Sequence, residues 1–193
     1  MNNTEDIAMT VKEALELYFQ KSKEFWMRAE KTYPRTAYIK DYDVDNGFYV
    51  SGIADKDEYV QWRPVLITEK TDFDSIEKQS GYKIHESIKE LLSVYFYADL
   101  ECLVTGRNMR INGNYPCPGS VSENIKNRII RGFNNSLNAE QKTDIFFEIG
   151  CTDSDGIFVN NITGEVIVSA VYEPVTFKLS DSLEDFICLL AGI

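Results

Sequence analysis

The chain has 193 residues, 44% hydrophobic and 12% aromatic, enough apolar material for one sizeable core and too much for a disordered chain. Its formal net charge is −11, so it lacks the basic excess that nucleic-acid binding requires and suits a basic protein partner instead. No apolar run approaches the ~18 residues of a membrane span, and the opening MNNTEDIAMTVKEAL has neither the basic nor the apolar region of a secretion signal, so a cytoplasmic protein without membrane insertion is expected.

Thr10-Val11-Lys12-Glu13 reads as a capping box. Val11, Leu15, Tyr18, Phe25 or Trp26, and Ala29 then form a helical stripe, in a long helix over about residues 10–33 that stops before Pro34. Phe19 and Trp26 widen the apolar face, so the helix is expected to dock along the body. Residues 48–50 and 59–67 read as two strands around the charged turn 55–58, with Pro64 at an edge. Phe73 and Ile76 mark a short helix ended by Gly81.

The stretch 84–104, IHESIKELLSVYFYADLECLV, is expected to be the structural centre. Ile88, Leu91, Leu92 and Tyr95 have helical spacing, after which Ala98, Leu100, Cys102 and Val104 alternate as in a strand. The three aromatics Tyr95, Phe96 and Tyr97 at the join should lie against the core. Further on, residues 109–111 read as a short strand and Asn112-Gly113 as a turn. Ser120-x-x-Glu123 reads as a second capping box, opening a helix with Val121, Ile125, Ile129, Phe133 and Leu137 on one face. A strand starts at residues 145–147, and strands at 156–159 and 166–168 flank the turn Asn161-Ile162-Thr163-Gly164 as a hairpin. Asp181 and Ser182 open a last helix with Leu183, Phe186, Ile187 and Leu190 inward. The order predicts an α+β fold, a mainly antiparallel sheet flanked by helices, in one domain over residues 1–193.

Motifs of catalysis are absent. His85 is the sole histidine and sits where a helix begins, a capping position rather than a general base, and no Ser or Cys occupies a G-x-S-x-G elbow. Asp41-x-Asp43-x-Asp45 resembles the opening of a calcium loop, but Asn46 and Gly52 stand where such a loop needs Gly and Glu. Asp153-x-Asp155-Gly156 reads as a polar turn before a strand. Cys102, Cys117, Cys151 and Cys188 form no C-x-x-C pair and read as buried reduced thiols. No metal or cofactor is expected.

Charge is unevenly placed. Residues 107–131 hold five bases and one acid, residues 132–193 ten acids and two lysines, and residues 41–58 six acids and one lysine. A two-signed face of this kind is common on protein-binding surfaces. The candidate binding residues are Asp43, Asp45, Asp57 and Glu58 at the ends of the early strands, with Asp153, Asp155 and Glu165 around the turns of the C-terminal hairpin. Converging, they would form an acidic concave patch for a basic partner.

Several motifs, in order from about Val11 to Leu190, resemble the Syd family of the SUKH superfamily. They are the long first helix with Tyr18 and Trp26, Val60-Gln61-Trp62-Arg63-Pro64, Ile84-His85-Glu86-Ser87-Ile88 through Tyr95 and Asp99-Leu100, the hairpin Asn161-Ile162-Thr163-Gly164-Glu165-Val166, and Ser182-Leu183-Glu184-Asp185-Phe186 with Leu189-Leu190. The resemblance implies an α+β fold that binds proteins and catalyses nothing. Two roles follow from it: an immunity protein that neutralises a cognate polymorphic or contact-dependent bacterial toxin, or a protein that binds the cytoplasmic loops of the SecY translocon through an acidic concave surface. The chain departs from Syd at Tyr95-Phe96-Tyr97 and Leu100-Glu101, where Syd tends to have a glycine after the aromatic corner, so immunity is the first expectation. An enzyme with an unrecognised site is the third.

Overall fold

The capping box at Thr10 is complete in the computed structural model: the Thr10 side chain accepts from the Glu13 N–H, and the Glu13 carboxylate accepts from the Thr10 N–H at 2.8 Å. It opens α1 (Val11–Ala29). The structure describes residues 9–40, 46–50, 53–104, 106–170 and 176–192. Val11, Ala14, Leu15, Tyr18 and Phe19 are buried, but the second half of α1 is not, with Phe25 56% exposed and Met27 41%. Only the first half of the helix docks, therefore. Glu90 ties it down by accepting the N–H groups of Val11 and Lys12, which no turn of α1 itself could satisfy.

Strand β1 (Arg35–Ala37) pairs antiparallel with β2 (Tyr59–Gln61) in a small sheet. The run 59–67 is cut at Arg63-Pro64, because proline cannot donate to a ladder, and resumes as β3 (Val65–Leu66). Residues 48–50 form no strand, only an isolated bridge between Tyr49 and Trp62. Helix α2 (Phe73–Ser80) ends at Gly81, whose φ of 81° is the left-handed conformation glycine adopts without a steric cost.

Helix α3 (Glu86–Ser93) is capped by His85, whose ring nitrogen accepts from the Ser87 N–H. It runs into β4 (Tyr95–Phe96), which pairs with β3, and then into β5 (Leu100–Val104), which joins a different sheet. The chain thus turns at residues 97–99 instead of forming one strand. The aromatic corner lies against the core as its composition requires. Tyr97 is fully buried and the Tyr95 ring meets Phe19 edge-on at 5.5 Å.

β6 (Arg107–Ile111) returns antiparallel to β5. Asn112-Gly113 is not a turn. The Asn112 N–H donates to Ile149 O, continuing the ladder, and Gly113 lies so near the Ala98-Asp99 backbone that a Cβ would sit 2.9 Å from it. Ser120 caps α4 (Val121–Phe133), but Glu123 pairs with Lys126 at 3.6 Å and does not complete a capping box. The helix breaks at Asn134, which places Leu137 on a separate short helix, α5 (Ser136–Gln141).

β7 (Phe146–Thr152), β8 (Asp155–Asn160), β9 (Val166–Ala170) and β10 (Thr176–Ser180) complete an antiparallel six-stranded sheet, ordered β10-β9-β8-β7-β6-β5. α6 (Leu183–Leu190) follows, with Leu183, Phe186, Ile187 and Leu190 buried. Cross-strand partners share a face, so Leu100 with Ile111, Ile157 with Val168 and Val159 with Val166 line the inner face. That face packs under α6, and α1 lies across α6 and α3. The fold is α+β. The four cysteines are free and half-buried, less enclosed than their apolar neighbours in sequence suggest.

Candidate functional site

Two asparagines hold α5 against the start of β7. Asn135 Nδ2 donates to Gly132 O and Phe146 O at 2.7 and 2.6 Å. Asn138 Nδ2 donates to Phe133 O and Phe146 O, and Asn138 Oδ1 accepts the Phe146 N–H at 3.0 Å. Both side chains are buried and serve as a polar clamp between helix and sheet. Phe147 then packs against Gly132, where any side chain would run into its ring.

The α5 helix that the clamp holds in place forms, through Ser136, Leu137 and Glu140, one wall of a hollow of about 360 Å³ facing the β7–β8 turn. Glu140, Glu148, Asp153 and Asp155 line it, and no lysine or arginine does. Glu148 is half-buried, and burial alone pushes its carboxyl above the ordinary range. Among the described residues it has neither ion pair nor hydrogen-bond partner for its side chain. A carboxylate held this way gains from any cation brought to it. Asp153 accepts from Asn108 Nδ2 at 3.1 Å and otherwise faces solvent. The hollow continues through Cys151, Thr152 and Asp153 onto the open outer face of β5 and β6, where exposed Glu101 stands opposite Arg110.

Beyond Glu148 the sign changes. A cleft of about 340 Å³ between α4 and the segment after β6 is lined by Arg128, Arg131, Asn112, Asn114 and Asn124, with Glu148 at its border with the acidic hollow. Burial, followed by the Arg131 charge, presses the Arg128 pKa down, against the Tyr97 hydroxyl.

The seven sequence candidates separate accordingly. Asp153 and Asp155 share the hollow. Asp57 and Glu58 lie on the exposed turn before β2, folded back on Asp55, and do not line it. Glu165 lies at the other end of β8 from Asp155, about 17 Å away along the strand, and is engaged by Lys178 at 2.7 Å. Asp43 and Asp45 lie outside the described residues, as does Asp41 of the calcium-like run. Sequence reasoning missed Glu140 and Glu148. Glu148 was legible as a charged residue inside a strand, Glu140 only once α5 is known to separate from α4.

Among the described residues no cluster of three or more His, Cys, Asp or Glu is placed to hold a metal ion, and no helix is long and apolar enough to cross a membrane. His85 is spoken for as a cap, bonded to Ser87 Oγ at 2.8 Å and packed against the turn at Gly164.

No curated protein matches the chain. A family model described as Syd protein (SUKH-2) matches residues 12–191, from the first turn of α1 to just beyond α6. That span takes in the hollow, the cleft and nearly every described element, and it supports a protein-binding role. The chain belongs to the Syd (SUKH-2) family.

Proposed function

We propose that this protein is a non-enzymatic cytoplasmic binding module that takes a basic segment of its partner into the hollow formed by Glu140, Glu148, Asp153 and Asp155. The observation that carries the reading is Glu148, a half-buried carboxylate with no counterion among the described residues, in a hollow whose charged lining residues are all acids. Family membership supports a partner that is a protein. The net charge of −11 supports a basic one, since opposite charge accelerates encounter.

The first role is immunity: the chain binds a cognate toxin domain and covers its active or substrate-binding surface. Toxins that attack nucleic acids carry basic surfaces, which an acidic inhibitor complements. The second role, equally compatible with the family match, is binding to the basic cytoplasmic loops of SecY. Titrating the purified protein against any toxin domain that a neighbouring reading frame encodes, and against SecY in nanodiscs, separates the two. Tight binding to the toxin with rescue of toxin-arrested growth supports immunity. Binding to SecY alone supports the second role, and binding to neither overturns both.

A further inference from the structure

Arg128 stands on α4 at the mouth of a polar cleft, half-buried. Its Nη1 donates to Asn114 Oδ1 at 2.6 Å, and its Nη2 reaches Asn112 O only at 3.5 Å. No carboxylate lies within 4.0 Å of it among the described residues. Arginine carries five donors in a planar fork shaped for a carboxylate, and these polar partners leave part of the fork without a charged one. Arg131, one turn along the same helix face, adds a second cation, and its single hydrogen bond is to Asn127 O of its own helix at 3.4 Å. Asn124, one turn before Arg128, donates to Cys117 O and Pro118 O, fixing the opposite wall of the cleft. The hydroxyl of fully buried Tyr97, beneath the guanidinium, is a further partner and anchors Arg128 in the cleft.

We infer that this cleft binds a single carboxylate, the side chain of an aspartate or glutamate on the protein partner, through the Arg128 and Arg131 guanidinium groups. The inference rests on the protein-binding reading but not on the acidic hollow. A polyanion is a poor occupant, because Glu148 borders the cleft and the whole chain carries −11. A lone carboxylate flanked by basic residues meets neither obstacle. Because Glu148 borders both depressions, a partner that fills them presents an acid and a base side by side. The pairing fixes register, since a partner of uniform charge satisfies only one of the two.

The test uses the full chain and three probes: acetyl-Gly-Glu-Gly-amide, its Gln counterpart, and inorganic phosphate. The readouts are the NMR signals of the Arg128 and Arg131 Nε–H groups and the Asn114 side-chain amide. The Glu peptide is expected to shift them saturably at millimolar concentration, and the Gln peptide much less. Arg131→Gln, at an exposed site that leaves folding intact, weakens the effect several-fold, and Arg128→Lys does so while keeping the charge. Unmoved signals, equal shifts from the Gln peptide, or a response to phosphate without one to the Glu peptide would each overturn the inference. None of the probes carries a base for the acidic hollow, and Asp153→Lys with Asp155→Lys leaves the Glu-peptide response in place, so failure here is distinct from failure of the hollow.

Discussion

The backbone N–H of His85 donates to Asn161 Oδ1 at 2.8 Å, and Asn161 Nδ2 returns a bond to Lys83 O at 2.5 Å. Two motifs 76 residues apart in sequence are thereby joined: the start of α3 and the turn between β8 and β9. The Gly164 Cα lies against the imidazole, so that a Cβ there would sit 2.8 Å from Cε1. Asn161→Ala removes both bonds and leaves the part-buried His85 N–H without its partner, while the exposed Lys83 carbonyl turns to water. It is expected to cost about 1–3 kcal/mol in urea denaturation. A loss within experimental error would show that the turn does not brace the helix.

Leu91 and Leu103 test the position of the core. Leu91 is 1% exposed and Leu103 65%. Leu91→Ala should cost about 2–5 kcal/mol, and Leu103→Ala should stay within about 0.5 kcal/mol. Equal losses would contradict the placement of Leu91 on α3 in the core and of Leu103 on the outer face of β5.

Tyr18 guards the edge of the large sheet. Its hydroxyl donates to Glu101 O and accepts from the Glu101 N–H, each at 2.9 Å, so α1 closes the exposed side of β5. Burial pushes the Tyr18 pKa up, which keeps the hydroxyl neutral and able to serve both groups. Tyr18→Phe is expected to destabilise by about 1–3 kcal/mol and to speed hydrogen exchange at the Glu101 amide. An unchanged amide would place the edge protection elsewhere.

Glu77 sets an acid limit on stability. Burial opposes its ionisation, but hydrogen bonds from Lys83, Lys89 and the Ile84 N–H outweigh burial and bring its pKa from 4.5 down to about 2. A depressed pKa stabilises the fold above the unfolded value. The contribution, about 3 kcal/mol, is present above pH 4.5 and lost as the pH falls toward 2. Glu77→Gln should therefore lie well below the parent in stability at pH 6, with the gap narrowing toward pH 2. A gap independent of pH would assign the loss to packing.

Much of this fold was legible in the sequence because local chemistry and burial agree there. Thr10 and Ser182 open their helices and Gly81 closes its own as their residue types require, and Val159 and Val166 pair across the hairpin that the alternation around residues 161–164 predicts. Elsewhere long-range contacts override local pattern. Asn112-Gly113 has the composition of a turn, but Ile149 across the ladder claims its amide. Leu137 continues the helical spacing of α4, but Asn135 and Asn138 are drawn to Phe146 and start a new helix. Strand β10 carries a brief alternation of Phe177 and Leu179 with Thr176 and Lys178, and becomes a strand by pairing with β9. Acidic residues are abundant, and their spacing could not indicate which ones share a hollow. That selection depends on sheet order, which puts Asp153 with Glu148 and sends Glu165 to Lys178.

The most direct measurement of the acidic hollow is the association rate of the Asp153→Lys, Asp155→Lys variant with whichever partner the titrations identify, a toxin domain or SecY, at low and high salt. Asp57→Lys, on the turn before β2, is the control. The double variant should associate more slowly at low salt, with a weaker salt dependence and an unchanged denaturation midpoint, while the control keeps the parent rate. A parental rate at both salts in the double variant would contradict the assignment of the hollow as the binding site.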